Sequence, residues 1–181
     1  AAVDGGQVGG QLGADTMVVG GVLKNALVSM TNVGDPENSA DLADSLTVGG
    51  SVSNSTVYAG AGADFMSVAG AMIAGEVYGG SGNDSVLLGG SLGGVVTLAQ
   101  GADSLMASAA NAATVLGGTE NDTFNFTGAV RDSSLVGGFG VDSITATGHL
   151  RGSTIWGGFK QRAQLFLWRE IACTGAFGRV P

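Results

Sequence analysis

Residues 79–87 read GGSGNDSVL: a pair of glycines, a third glycine at Gly82, an aspartate at Asp84 and an apolar Val86. The pattern returns complete from Gly137 as GGFGVDSIT, and with one position missed from Ala59 (AGAGADFMS) and from Gly117 (GGTENDTFN). Weaker versions end at Asp15, Asp44 and Asp103. The aspartates of the pattern are then Asp15, Asp44, Asp64, Asp84, Asp103, Asp122 and Asp142, at steps of 29, 20, 20, 19, 19 and 20 residues. A period near twenty predicts one coil of a solenoid per repeat. The long first step divides at Asp35, which lies 20 residues after Asp15, and leaves an insertion near residues 36–43. Solenoids place insertions in turns.

The apolar residues give the same lattice without using the aspartates. The second position after each aspartate is Met17, Leu46, Met66, Val86, Leu105, Phe124 or Ile144, and the fourth is Val19, Val48, Val68, Leu88, Ala107, Phe126 or Ala146. Alternate positions share one face of a strand, so both columns point inward and stack between coils. A second stretch carries Leu23, Val52, Met72, Leu92, Val130 and Leu150 at the eighth position, with Asn111 out of character, and then Val28, Val57, Val77, Val96, Val115, Leu135 and Ile155. The predicted fold is therefore all-β: a parallel β-roll or β-helix solenoid of about seven coils of 19–20 residues, with two short strands per coil, over residues 1–158. At about 4.8 Å per stacked strand the rod is on the order of 35 Å long. The pattern fails after Gly158, where the next aspartate position would fall on Arg162. Residues 159–181 read as a C-terminal cap, with AQLFLWREIA as a last strand or a short amphipathic helix, or as a non-native tail. A cap would cover backbone groups that an open end coil leaves unpaired.

Composition narrows the function. Among 181 residues there are 34 glycines and two prolines, with 44% hydrophobic and 12% charged residues and a net charge of -8. So much glycine in a chain still rich in valine and leucine suits tight turns between strands rather than disorder. Seven basic residues are too few to neutralise a phosphate backbone, which argues against a nucleic-acid partner. One cysteine, Cys173, gives no internal disulfide framework. No signal peptide, initiating methionine or membrane-length apolar run is visible, so the chain reads as a mature form or a fragment with no membrane span.

The aspartate row carries the chemistry. Two carboxylates about 5 Å apart repel by roughly 1 kcal/mol in water and about 3 to 4 kcal/mol at an effective dielectric of 20, a cost repeated at every coil. A cation between coils reverses its sign. One carboxylate per turn plus glycine-loop carbonyls are hard oxygen donors that suit Ca2+, whereas softer metals want His or Cys, and His149 stands alone. The competing reading is structural: aspartate tolerates left-handed turn positions and caps loops.

The nonapeptides resemble the calcium-binding repeats of the RTX (repeats-in-toxin, hemolysin-type) family, in the 19–20-residue form of large bacterial surface adhesins. That resemblance implies a β-roll with several calcium ions in one row between equivalent turns. It implies Asp64, Asp84, Asp103, Asp122 and Asp142 as ligands, Asp15 and either Asp35 or Asp44 as extensions of the row, and loop carbonyls such as those at Gly82 and Gly140. The opposite turns (GGSVSN, AGAMIAG, GGSLGG, TGAVRD, TGHLRG) lack the register aspartate, a departure from the family's toxin modules that restricts the expected ions to one edge.

The functional expectation is a non-catalytic, calcium-stabilised structural module, extracellular, at a cell surface or on a virion: an adhesin stalk, a surface-layer or filament component, or a phage fibre. A homo-oligomer or filament and a surface polysaccharide are the expected partners. Alternatives are an ice-binding or carbohydrate-binding adhesin module, or an accessory roll of a larger secreted enzyme. Ice binding would want Thr-x-Asn in each turn, which Thr119 and Asn121 supply but Ala61 and Ala63 do not. Tyr58, Tyr78 and Trp156 share one outward column, which reads as aromatic stacking that stiffens the sheet or as a carbohydrate platform. Against an enzyme, there is no H-E-x-x-H, and Glu76 and Asp132 beside Arg131 are isolated charges.

Overall fold

The computed structural model describes residues 1–10, 13–31 and 42–157, together with the backbone of the strand Gln164–Leu167. Within them every strand is parallel to its neighbours, and the strands stack as a β-solenoid of about seven turns. Among the described residues there is no helix, and so none long and apolar enough to cross a membrane.

Each coil begins just after its aspartate with strands such as Ser45–Val48, Phe65–Val68, Thr123–Phe126 and Ser143–Ala146. Their alternation buries one residue in two, so Leu46 pairs with Met66 and Phe124 with Ile144 in continuous columns. The second stretch of the coil is bent. In several coils it divides into a two-residue piece, such as Val52–Ser53 or Val130–Arg131, and a longer one, such as Thr56–Ala61 or Ser134–Phe139. The bend is a left-handed residue repeated at one position: Asn25, Asn54, Ala74, Ala112 and Asp132 all have φ between 47° and 51°. Asn and Asp are the non-glycine residues that accept this conformation most readily.

All four inward columns meet in one core. Leu23, Val52, Met72, Leu92, Val130 and Leu150 are buried in it, as are Val28, Val57, Val77, Val96, Val115 and Leu135. Burying each large side chain contributes about 1.5–3 kcal/mol, and no coil could bury its face without the next. Asn111 is not a flaw in the core: Ala110 pairs with Leu92 and Val130, while Asn111 is exposed and pairs with Arg131. The 19-residue coil drops its residue earlier, where the register shifts between Leu88 and Ser91.

On the outside, Tyr58 and Tyr78 stack with ring centroids 4.9 Å apart and planes 13° apart. The ladder continues through Thr97, Leu116 and Val136 before it reaches Trp156, so the aromatic pair does not extend to the tryptophan. At the far end, Gln164–Leu167 pairs in parallel with Ser143–Ala146, the strand alternative for that segment. Ser143 meets Gln164, one residue later than a register aspartate position at Arg162 would place it. Residues 32–41, with Asp35 and most of the insertion, lie outside the described residues, as do residues 158–163 and 168–181 with most of the tail.

Candidate metal centre

The turn that closes each coil ends at the register aspartate, and the structure brings these residues into one row. The backbone N–H of each aspartate donates to Oδ1 of the aspartate one coil further on. Asp15 donates to Asp44 (2.6 Å), Asp44 to Asp64 (2.7 Å), Asp64 to Asp84 (2.9 Å), Asp84 to Asp103 (2.7 Å), Asp103 to Asp122 (2.9 Å) and Asp122 to Asp142 (3.0 Å). Of the two candidates for the second coil, Asp44 holds the register; Asp35 lies outside the described residues. Asp15, at the start of the row, is half-buried, whereas the six from Asp44 to Asp142 point inward and are buried, Asp122 and Asp142 to 1% exposure.

One carboxylate oxygen is thereby used, and the other is not. In Asp84, Asp103, Asp122 and Asp142, Oδ2 is buried without a hydrogen-bond partner. The first glycine of the motif makes room for it, since a Cβ on Gly79, Gly117 or Gly137 would overlap Oδ2 of Asp84, Asp122 or Asp142. Gly82, with φ of 118°, lies so close over the Gly62 carbonyl that a Cβ would overlap it, and its own carbonyl oxygen sits equally close under Gly101. Gly140 lies over the carbonyl of Glu120 in the same manner. Loop carbonyls therefore point from coil to coil beside the carboxylates.

Burial of a charge without a partner has a predictable electrostatic result. Burial pushes the Asp84 carboxyl up to about 8; the amide of Asp64 opposes this in part, and the charges of Asp64 and Asp103 add to it. Burial pushes Asp103 up to about 6, opposed by the amide of Asp84, with Glu120 adding to the rise. Asp122 is pushed up to about 7 by burial, again against an amide and with its neighbours' charges, and burial raises Asp142 as well. The row must take up either protons or a cation to stay buried at neutral pH.

The opposite turn supplies an internal control that sequence reasoning missed. There Ser55, Ser133 and Ser153 are buried at the position next to the left-handed residue. Ser55 Oγ accepts the N–H of Ala26 (3.1 Å), Ser133 Oγ that of Ala113 (3.1 Å) and Ser153 Oγ that of Ser133 (3.2 Å). Each hydroxyl also donates to a carbonyl of its own coil, Ser133 to Arg131 at 2.6 Å and Ser153 to Arg151 at 3.1 Å. A neutral serine thus does the same inter-coil task as aspartate and leaves nothing unsatisfied. Ser133→Ala should therefore cost about 1–3 kcal/mol of unfolding free energy, by the same amount in calcium and in chelator; chemical denaturation in the two buffers measures it.

The donor set fits calcium: only oxygen, anionic, with backbone carbonyls adjacent. Among the described residues no three acidic, histidine or cysteine side chains are gathered into a preformed cluster. Each step thus offers the carboxylates of two coils, and loop carbonyls such as those at Gly82 and Gly140 would have to complete it. No family model, no curated protein and no solved structure matches this chain.

Proposed function

We propose that the protein is a non-catalytic structural module of a secreted or surface protein, a β-roll whose aspartate row is neutralised by calcium. The observation that carries this reading is the contrast between the two turns: where serine stands at one edge, as Ser55, Ser133 and Ser153 do, it meets the backbone demand by itself, and aspartate at the other adds a buried, unpartnered oxygen at every coil from Asp84 to Asp142. That oxygen is a liability without a cation and a ligand with one. Calcium bound there would neutralise the row and tie neighbouring coils together. The resemblance of residues 79–87 and of the copy from Gly137 to RTX repeats supports the same ion.

Extracellular calcium modules operate near 10⁻⁴–10⁻³ M, which couples folding to arrival outside the cell. The acidic residues of the row are committed to this role, and the regular stacking of the coils suits a rigid spacer in a stalk, surface layer, filament or fibre. Each ion held at about 100 times its dissociation constant adds about 2.7 kcal/mol of stability. Thermal unfolding followed by circular dichroism should accordingly show a large rise in melting temperature on going from chelator to millimolar calcium. An unchanged curve would leave the row as a protonated structural ladder and remove the calcium reading.

A further inference from the structure

One outward column of the solenoid begins a ring stack and then drops it. Tyr58 and Tyr78 stand in register on neighbouring coils, their rings 4.9 Å apart and nearly parallel, and the next coil places Thr97 there. Coils stack about 4.8 Å apart, so the face of Tyr78 turned away from Tyr58 looks over a short side chain. Two residues further along the same strands, Gly60, Gly80 and Ala99 form a second column that carries almost no side chain. Between the columns lies a groove of about 170 Å³, with Tyr58, Tyr78 and Thr97 as its wall and Gly60, Gly80 and Ala99 as its floor.

The chemistry of the groove selects its occupant. The Tyr78 hydroxyl donates to Glu76 Oε2 (3.3 Å), which fixes the ring and leaves the phenol oxygen able to accept. Half-buried Thr97 adds a hydroxyl that donates or accepts beside the open face of Tyr78. No Lys or Arg lines the groove, and Glu76 is tied to its wall in a chain of net charge -8, so an anion is repelled. An extended peptide finds no free edge, because these strands already pair with coils on both sides. A second copy of the chain would bury roughly 800 Å² per partner in a stable contact. Three coils by three residues present only on the order of 100 Å². What fits is one ring with a flat apolar face and neutral hydrogen-bonding groups around its rim, which describes a pyranose.

We propose that this groove binds one pyranose ring of a neutral polysaccharide, with the C–H face of the sugar on the open face of Tyr78 and its hydroxyls at Thr97 and the tyrosine phenols. The sugar takes the place in the stack that a third aromatic ring would fill, an apolar surface with a few placed polar groups being the usual make-up of a small-ligand site. Glu76 acts as a positioning residue that holds the Tyr78 ring. The site stands apart from the calcium row: it uses the outer face of the strands, whereas the row aspartates point inward at the turns.

The test is a titration of the ¹⁵N-labelled protein, in millimolar calcium, with short oligomers of glucose, galactose, mannose and N-acetylglucosamine, and with polygalacturonate as the acidic arm. At least one neutral oligomer should shift the amides of Tyr78, Gly80 and Thr97, with a dissociation constant on the order of a millimolar, the scale of a one-ring contact. Tyr78→Leu keeps an apolar side chain in the column but removes the flat face, and should weaken binding by roughly tenfold or more. Thr97→Tyr should continue the stack over Tyr78, raise the melting temperature and abolish the shifts at Gly80. A gain in stability with a loss of binding is what an occupied groove predicts and a purely stiffening stack does not. The proposal is overturned if no neutral oligomer shifts these amides, if both variants bind as wild type does, or if polygalacturonate binds equally well. Shifts of the same amides with protein concentration alone would assign the face to a second copy instead and overturn it too. Each of these failures leaves the calcium row intact, which the melts in calcium and chelator test separately.

Discussion

In chelator, unfolding free energy should fall by several kcal/mol as pH rises from about 4 to about 8. The sign follows from the direction of the shifts. Asp84, Asp103 and Asp122 bind protons more tightly folded than unfolded, with folded values of about 8, 6 and 7 against 3.8. Their contribution is complete below the unfolded value and is lost as pH passes through the folded ones, at up to about 1.4 kcal/mol per pH unit for each group. Asp142 is raised by burial too and acts in the same direction.

With calcium the slope should reverse, because the ion needs carboxylates and competes with their protons. Urea denaturation at pH 4, 6 and 8, with and without calcium, gives curves that cross. If stability in chelator rises over that window, the buried carboxyls are not the proton-binding groups described here.

Replacing Asp103 and Asp122 together by asparagine should produce the second large effect, with opposite signs in the two conditions. The amide oxygen of asparagine can still accept the N–H bonds that Asp103 and Asp122 now accept from Asp84 and Asp103. What disappears is the buried charge. In chelator at pH 8 the double variant should be more stable than wild type by about 1–4 kcal/mol, the range seen when buried charges are replaced by neutral groups. In millimolar calcium it should be less stable than wild type by several kcal/mol. The two residues border the steps from Asp84 to Asp103, Asp103 to Asp122 and Asp122 to Asp142. Each ion lost there removes about 3–4 kcal/mol, and together these losses outweigh the gain seen in chelator. Melting temperatures in both buffers decide the matter, and destabilisation by the same amount in both would mean that the carboxylates serve packing alone. Ser133→Ala, whose cost should not depend on calcium, is the matching control on the opposite edge.

Much of the coil architecture was legible because a solenoid writes its contacts into its period. Leu46, Met66 and Val86 stack because they stand twenty residues apart, so the inward columns and the aspartate series could be read off by counting. Two details escaped the count. Asn111 looked like a polar intrusion because a fixed offset from Asp103 ignores a residue dropped at the preceding turn; the pairing of Ala110 with Leu92 puts the apolar column back in place. The buried serines carry no signature, since Ser55, Ser133 and Ser153 look like any turn serine until their partners one coil away are known.

The amino-acid order by itself determined the parallel stacking, the coil length, which side chains line the core and which acidic residues share an edge. All of these are periodic, and periodicity is a property of the chain. Only the tertiary structure decided what that edge is like: carboxylates turned inward, Oδ1 of each held by an amide from the coil before, and Oδ2 of Asp84, Asp103, Asp122 and Asp142 closed off from water. The direction of a side chain in a turn depends on local φ and on atoms some twenty residues away. A glycine without a Cβ at Gly79, Gly117 or Gly137 is what lets the carboxylate occupy the space beside it.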